Sequence, residues 1–261
     1  MNHKAKQFKV KVKEIKKIKS DIFLMSFSSA YLAKVAQPGQ FLHIKVESVI
    51  LRRPFSIHKI EKGKTKVLFR VRGRGTKKLS QSKKGIALDM IGPLGEGFKL
   101  SRKRVAREKK QSILLAGGIG VAPLVYLAQK LPKGDNKVLL GSKTKKDIVA
   151  EAEFKKLGFK SYVSTDDGSS GKKGTVVDLL ETVLKGTKLA KETTVFACGP
   201  KEMLFEIAKV LKKYPKVNCQ VSFEQFMGCG LGICCACVIK TKQGYRKVCK
   251  DGPVFNIKDI V

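Results

Sequence analysis

No apolar run in this sequence approaches the roughly 18 residues that a membrane-spanning helix needs. The first twenty residues carry eight lysines and no apolar core of the kind a secretory leader has. A soluble, cytoplasmic protein is expected, with its seven cysteines in a reducing compartment. Acidic side chains are scarce, 21 against 55 basic ones, so the formal net charge is +34 over 261 residues. Arginine is scarce as well: nine of the basic residues are arginine and 46 are lysine, scattered along the chain. No helix-turn-helix and no aromatic RNA-binding signature accompanies that charge, so no specific nucleic-acid partner is expected. The lysines read as a solvated surface, with an acidic partner or weak polyanion contact as the other reading. Also missing are a nucleophile–base constellation and a substrate-pocket signature, so no catalytic residue is expected. What remains is ample: 43% hydrophobic residues and a length that suits two domains, or one large and one small.

Most of the cysteine is concentrated near one end. Met227-Gly228-Cys229-Gly230-Leu231-Gly232-Ile233-Cys234-Cys235-Ala236-Cys237, closed by Cys249, spaces four thiols as C-x4-C-x2-C-x11-C. The first three repeat the plant-type [2Fe–2S] ligand spacing. Four thiolates must converge on two irons from one wrapped loop, and Gly228, Gly230 and Gly232 let backbone N–H groups turn toward the sulfurs. Zinc is the competing reading, but zinc sites show two short-paired ligand sets, which this spacing lacks. Cys219 and Cys235 are expected to be non-ligating, a strand residue and a small loop filler; were Cys235 to replace a neighbour, the ligand set would shift by one.

Before that segment the chain changes character once. Val10-Lys-Val-Lys, Phe23-Leu-Met-Ser-Phe, Phe41-Leu-His-Ile-Lys-Val and Lys66-Val-Leu-Phe-Arg-Val are short strand patterns without intervening helices, which suggests a small antiparallel β-barrel. Ile86 to Phe98 reads as its turn-rich closure, and the charged residues 101–111 as a linker. From Ser112 strands alternate with helical patterns: Ile113 to Ala116, a glycine turn, a helix from Val121; a strand from Lys137; a helix from Lys146 to Leu157; a strand from Lys160; helices at Val176–Leu184 and Lys201–Lys213 around a strand from Thr194. Such alternation predicts a doubly wound parallel sheet, whose ligands sit at the carboxyl ends of the strands. Gly117 to Gly120, Asp166-Asp167-Gly168 and Cys198-Gly199-Pro200 fall at such ends.

Several strings carry a family resemblance. Arg53-Pro54-Phe55-Ser56 resembles the R-x-[YF]-[ST] flavin signature of the ferredoxin–NADP reductase superfamily, and Gly75-Thr76 resembles the step that holds the flavin pyrophosphate there. Gly92-Pro93-Leu94-Gly95 is similar to a loop of that superfamily. Gly117-Gly118-Ile119-Gly120-Val121-Ala122-Pro123 and Cys198-Gly199-Pro200 resemble its nicotinamide-nucleotide motifs. From Glu224 on, the chain resembles one branch, the electron-transfer subunits of class 1B dihydroorotate dehydrogenase, whose order of parts it shares over nearly its full length.

The resemblance implies a multi-domain β plus α/β protein: an antiparallel β-barrel for FAD (1–104), a doubly wound nucleotide domain (105–213) and a small [2Fe–2S] module (214–261). It implies flavin contacts from Arg53, Pro54, Phe55, Ser56, Phe69, Arg70, Val71, Gly75 and Thr76. Gly117, Gly118, Gly120, Cys198, Gly199 and Pro200 would then serve NAD(H), and Cys229, Cys234, Cys237 and Cys249 the cluster. Basic Lys143 and Lys145, with Ser142, lie where a 2′-phosphate would sit, although the family favours NADH. An NAD-linked oxidoreductase subunit in pyrimidine biosynthesis follows, exchanging electrons with the FMN of a dihydroorotate dehydrogenase catalytic subunit in a heterotetramer with two of each. A sister branch, serving sulfide dehydrogenase, ferredoxin reductase or hydrogenase complexes, shares the domain order. His43 and His58 flank the flavin segments and read as packed or surface residues.

Overall fold

A computed structural model describes residues 5–47, 49–100, 110–186, 189–190 and 192–260. The chain forms two compact units, each assembled from two segments: Met1–Gly97 with Gln225–Val254, and Phe98–Glu224 with Phe255–Val261.

The first unit is built on a curled antiparallel sheet. Its strands are β1 (Lys6–Lys17), β2 (Ile22–Ser28), β3 (Phe41–Ile44), β4 (Arg53–Ser56), β5 (Lys59–Glu61), β6 (Lys64–Arg70) and β7 (Ala87–Leu94), in the spatial order β4-β3-β7-β1-β2-β6-β5. Two short helices, α1 (Ala30–Val35) and α2 (Arg74–Ser80), interrupt them. The alternating pattern puts Val12, Met25, Phe27, Val67 and Met90 inside, where each fully buried side chain contributes about 1.5–3 kcal/mol. Distant strands of the order are drawn together, since Phe55 of β4 meets Phe69 of β6 edge-on at 5.5 Å and Phe69 stacks on Phe23 at 6.0 Å. The segment expected to be a turn-rich closure is instead strand β7, in the middle of the sheet; Leu88, Met90 and Leu94 face inward at the strand period of two. Helix α1 has no counterpart in the sequence reading. Ser29 caps it by accepting from Leu32 N–H, and only Leu32 is buried.

The second unit is the doubly wound parallel sheet that the alternation predicts. It contains β8 (Lys110–Gly117), β9 (Lys137–Ser142), β10 (Lys160–Thr165), β11 (Lys172–Lys173), β12 (Glu192–Cys198) and β13 (Asn218–Ser222), with α3 (Ala122–Lys130), α4 (Glu151–Lys156), α5 (Val176–Gly186) and α6 (Lys201–Leu211) between them. Ile113 to Leu115, Val138 to Leu140 and Val195 to Ala197 are continuous buried runs, as strands covered on both faces require. The helix expected from Lys146 to Leu157 is shorter. A single turn spans Lys145–Asp147, Ala150 takes a left-handed conformation (φ 63°), and α4 begins only at Glu151.

The last segment contributes to both units. A hairpin, β14 (Val238–Thr241) with β15 (Gly244–Lys247), leads into α7 (Val248–Asp251) in the first unit. Strand β16 (Val254–Asn256) then extends the parallel sheet beyond β13, giving the order β11-β10-β9-β8-β12-β13-β16, and Phe255 packs edge-on against Phe223. By packing, residues 225–254 of the expected third module group with the barrel and Phe255–Val261 with the parallel sheet. Residues 225–254 join the barrel because Glu96 N–H donates to the Gly252 carbonyl at 2.5 Å and Glu96 bridges to Pro253. Most of the expected linker, residues 101–109, lies outside the described residues.

Candidate functional site

Three groups of sequence-predicted residues come together locally. The first is in the barrel. Strand β4 pairs with β3 so that Phe41 faces Ser56, Leu42 faces Phe55, His43 faces Pro54 and Ile44 faces Arg53. The Arg53 guanidinium donates from Nη1 to the carbonyls of Leu51 (2.7 Å) and Arg52 (3.2 Å), and its Nε lies over Gly75. Gly73 caps α2, and the Thr76 hydroxyl accepts from Arg72 and Gly73 N–H while donating to the Gly73 carbonyl. A half-buried cation thus lies beside a tight helix start, as phosphate recognition requires. Arg70 is tied to Asp21 at 3.1 Å, and Val71 N–H donates to the Asp21 carbonyl. Phe55 and Phe69 point into the barrel core, which confines any part they play in ligand binding to their backbone or to shaping the wall.

The second group lies at the carboxyl ends of the parallel strands. Gly117-Gly118-Ile119-Gly120 turns off β8 and Cys198-Gly199-Pro200 turns off β12, and the two turns touch. A Cβ on Gly120 would strike the Cys198 carbonyl, one on Gly117 would meet Met203 Sδ at 2.6 Å, and one on Gly199 would meet Met203 Cε at 2.5 Å. Only glycine permits this approach, and Gly118 (φ 54°) faces open space. Burial pushes the Cys198 thiol well above its ordinary range, the Glu224 charge adds to this, and a Ser222 hydrogen bond opposes it. Cys198 is therefore a neutral thiol and not a nucleophile. Nearby, Asp166 and Asp167 N–H donate to the carbonyls of Ser142 and Lys143, while Lys145 N–H donates to Ser169 Oγ at 2.8 Å. The loops after β9 and β10 are thereby joined.

The third group is the cysteine loop. Leu231, Ile233 and Cys234 N–H all donate to Cys229 Sγ at 3.3–3.4 Å, and Cys229 N–H donates to Cys234 Sγ at 3.4 Å. Gly232 N–H reaches Cys249 Sγ at 3.1 Å, and Cys249 N–H reaches Cys237 Sγ at 3.4 Å. The x11 gap is the β14–β15 hairpin. Val238 pairs with Lys247, Val248 N–H donates to the Cys237 carbonyl, and Cys249 is delivered beside Cys237. The thiols form two pairs, Cys229 with Cys234 and Cys237 with Cys249; among the described residues no three metal-ligating side chains gather around a single ion. Burial raises the Cys229 thiol, but the N–H groups of Cys234, Leu231 and Ile233 outweigh it and bring it down to about 6. Burial first, and then neighbouring Cys237, pushes Cys249 up to about 12. Amides aimed at sulfur suit thiolate ligands, and a cationic centre would relieve the crowding at Cys249. The residues fit a two-iron centre.

Cys235 is exposed in the loop in a left-handed conformation (φ 57°), with its thiol 3.7 Å from the Ile233 carbonyl. Cys219 is buried in β13, as expected. His43 packs against Gly230 of the cysteine loop, and Met203 against Gly117 and Gly199 of the glycine turns. Met203 carries no recognisable signal, whereas His43 stands in an otherwise apolar buried strand.

Comparison with known proteins gives a consistent result. Residues 224–261 match the family described as the iron–sulfur cluster binding domain of dihydroorotate dehydrogenase B, and residues 114–209 match the oxidoreductase NAD-binding domain. A dihydroorotate dehydrogenase B (NAD(+)) electron transfer subunit from Caldanaerobacter subterraneus subsp. tengcongensis is 37% identical over 260 residues, covering 98% of each chain. The protein of the same name from Geobacillus kaustophilus is 38% identical over 247 residues, covering 91% of each. Among solved structures, an NADH-dependent reduced ferredoxin–NADP oxidoreductase superposes with a TM-score of 0.84 at 27% identity, covering 97% of this chain and 89% of that one. The ferredoxin reductase of carbazole 1,9a-dioxygenase shares the fold, with a TM-score of 0.68 at 18% identity, over 84% of this chain and 70% of its own.

Proposed function

The chain belongs to the family of dihydroorotate dehydrogenase B (NAD(+)) electron transfer subunits, and we propose how its own residues divide that work. It is an oxidoreductase subunit that acts with a catalytic partner in the pyrimidine-biosynthetic oxidation of dihydroorotate to orotate, with NAD+ as acceptor. Its cofactors are FAD, NAD(H) and a [2Fe–2S] cluster; the flavin exchanges electron pairs with nicotinamide, and the cluster exchanges single electrons.

In our reading, Arg53 and the start of α2 at Gly75-Thr76 hold the flavin's phosphates, with Pro54, Ser56, Arg70 and Val71 completing that wall. Gly117, Gly118 and Gly120 present backbone N–H groups to the dinucleotide, and Cys198-Gly199-Pro200 flanks its nicotinamide end. Cys229 with Cys234, and Cys237 with Cys249, supply the two ligand pairs. Phe226 (90% exposed) and Ile233 (77% exposed) leave unusual apolar surface around the cysteine loop. We assign that surface to docking of an FMN-containing catalytic subunit, in a heterotetramer with two copies of each. No described helix is long and apolar enough to cross a membrane, and we place the protein in the cytoplasm, whose reducing conditions suit cluster cysteines.

The observation that carries this reading is the set of six backbone N–H groups directed at Cys229, Cys234, Cys237 and Cys249. Anaerobic purification with iron, acid-labile sulfide and flavin analysis tests it, followed by coexpression with a candidate catalytic subunit. Two irons and one FAD per chain, with dihydroorotate-dependent reduction of NAD+ only in the complex, are expected. A protein free of iron and sulfide would overturn it.

A further inference from the structure

His43 is wholly buried in strand β3, 0% exposed, and among the described residues neither Nδ1 nor Nε2 has a hydrogen-bond partner. Burying an imidazole N–H without an acceptor carries a desolvation penalty, so the placement calls for a counterpart. The ring's neighbours identify one. On the sheet side, His43 pairs with Pro54 of the Arg53-Pro54-Phe55-Ser56 strand and with Ile91 of β7. On the other side lies the cysteine loop: a Cβ on Gly230 would fall 2.6 Å from His43 Nδ1 and 3.1 Å from Cγ and Cε1. Gly230 is therefore required not only for its left-handed φ of 72° but because its Cα rests against the imidazole edge. The backbone of Cys229 and of Arg52 also faces the ring without closing a hydrogen bond of standard geometry. In either protonation state an imidazole offers at least one N–H.

We infer that His43 is a positioning residue for the cluster: its buried ring, packed directly against Gly230, supports the Cys229–Gly230 peptide within reach of an N–H···O bond that a small shift of the loop closes, and so holds the turn whose amides meet Cys229 Sγ. The consequence is electronic. N–H···S bonds stabilise the more negative, reduced state of an iron–sulfur centre and so raise its reduction potential. Releasing the anchor lets the amides of Leu231, Ile233 and Cys234 withdraw from Cys229, which lowers it. The same side chain joins the strand of the flavin signature to the cluster loop within one packed layer. This inference rests on the cluster reading above, and its failure is distinguishable from the failure of that reading.

The test uses holoprotein purified anaerobically, as wild type, His43→Phe and His43→Asn. Iron and flavin content are measured first, then the cluster's midpoint potential and g-values by EPR-monitored redox titration at one fixed pH. His43→Phe preserves ring volume and removes the N–H. It is expected to retain iron and FAD, to shift the g-values, and to lower the one-electron reduction equilibrium about tenfold, about 59 mV. His43→Asn restores a donor and should recover more than half of the shift. A wild-type potential and spectrum in His43→Phe would overturn the inference, and so would His43→Asn behaving like His43→Phe, which would reduce the role to packing. Should His43→Phe fail to fold, His43→Leu takes its place with the same expected shift and the same overturning result. Wild-type protein without iron would remove the cluster reading itself, and this inference with it.

Discussion

Arg53 lies across the face of Gly75. A Cβ at that glycine would come within 3.3 Å of Arg53 Nε and 3.5 Å of Cγ, so two residues more than twenty positions apart share one surface. If that surface grips the flavin's phosphates, Arg53→Ala removes a forked charge-assisted contact worth about 1.5–3 kcal/mol, roughly 10- to 100-fold in flavin Kd. Gly75→Val should weaken retention by displacing the guanidinium without removing it. Flavin content after gel filtration and fluorescence titration of apoprotein measure both. Unchanged content in both variants would take Arg53 out of the site.

Gly120 presses on the backbone of Cys198 and Gly199, and neither carbonyl nor amide can yield as a flexible side chain would. Gly120→Ala is expected to lower thermal stability by about 1–3 kcal/mol and to raise the KM for NADH while leaving flavin content unchanged. Steady-state reduction of an artificial dye separates these effects. A normal KM with a normal melting temperature would show that the two turns are free to part.

Cys237→Ser breaks the buried thiol pair, whereas Cys235→Ser alters an exposed side chain that none of the cysteine-loop amides reaches. The first should lose iron and partner-linked turnover while NADH still reduces the flavin in stopped-flow absorbance. The second should keep iron near the wild-type level. Reversal of the two results would put Cys235 in the ligand set in place of Cys237, two positions before it.

Asp135 accepts from Lys137 Nζ at 2.9 Å, Lys160 Nζ at 3.2 Å and Gln111 Nε2 at 2.7 Å, and Lys137 is only 5% exposed. The Lys137 hydrogen bond leads in holding the Asp135 carboxyl at about 2, below its ordinary 3.8. A depressed folded-state pKa stabilises fully above the unfolded value and fades as pH falls through the folded one. The stability difference between wild type and Asp135→Asn should therefore be constant above about pH 5 and shrink between pH 4 and pH 2. At neutral pH about 1–2 kcal/mol is expected, because Asp135 itself is partly exposed. Thermal melts across that range would reveal it; equal melting temperatures at pH 7 would mean that the ion pair contributes nothing.

What was legible from sequence was contiguous. The runs Ile113 to Ala116 and Val195 to Ala197, the glycine turns after them and the cysteine spacing each carry their information within a dozen residues. What was not legible depends on partners far along the chain. Strand β7 looked like turns because Gly92, Pro93 and Gly95 obscure its period, and its place between β3 and β1 decides the matter. Helix α1, with one buried residue, lacks an amphipathic stripe. His43 reads as an ordinary strand histidine, because what sets it apart, Gly230 against its ring, lies nearly two hundred positions away. The hairpin that spans the gap between Cys237 and Cys249 was equally hidden, since its strands are only four residues long.

The final residues of the chain return to a sheet begun at β8. Strand β16 closes the edge beyond β13, and Phe255 covers Phe223, so the polypeptide that bears Cys229, Cys234, Cys237 and Cys249 is fastened at both ends within the nucleotide unit's own sequence segments. An iron-binding insert held this way is not a detachable cassette. Deleting everything after Glu224 would strip an edge strand from the neighbouring sheet, and grafting the cysteine segment onto another reductase would require a host that offers both a ring beneath Gly230 and a free strand edge.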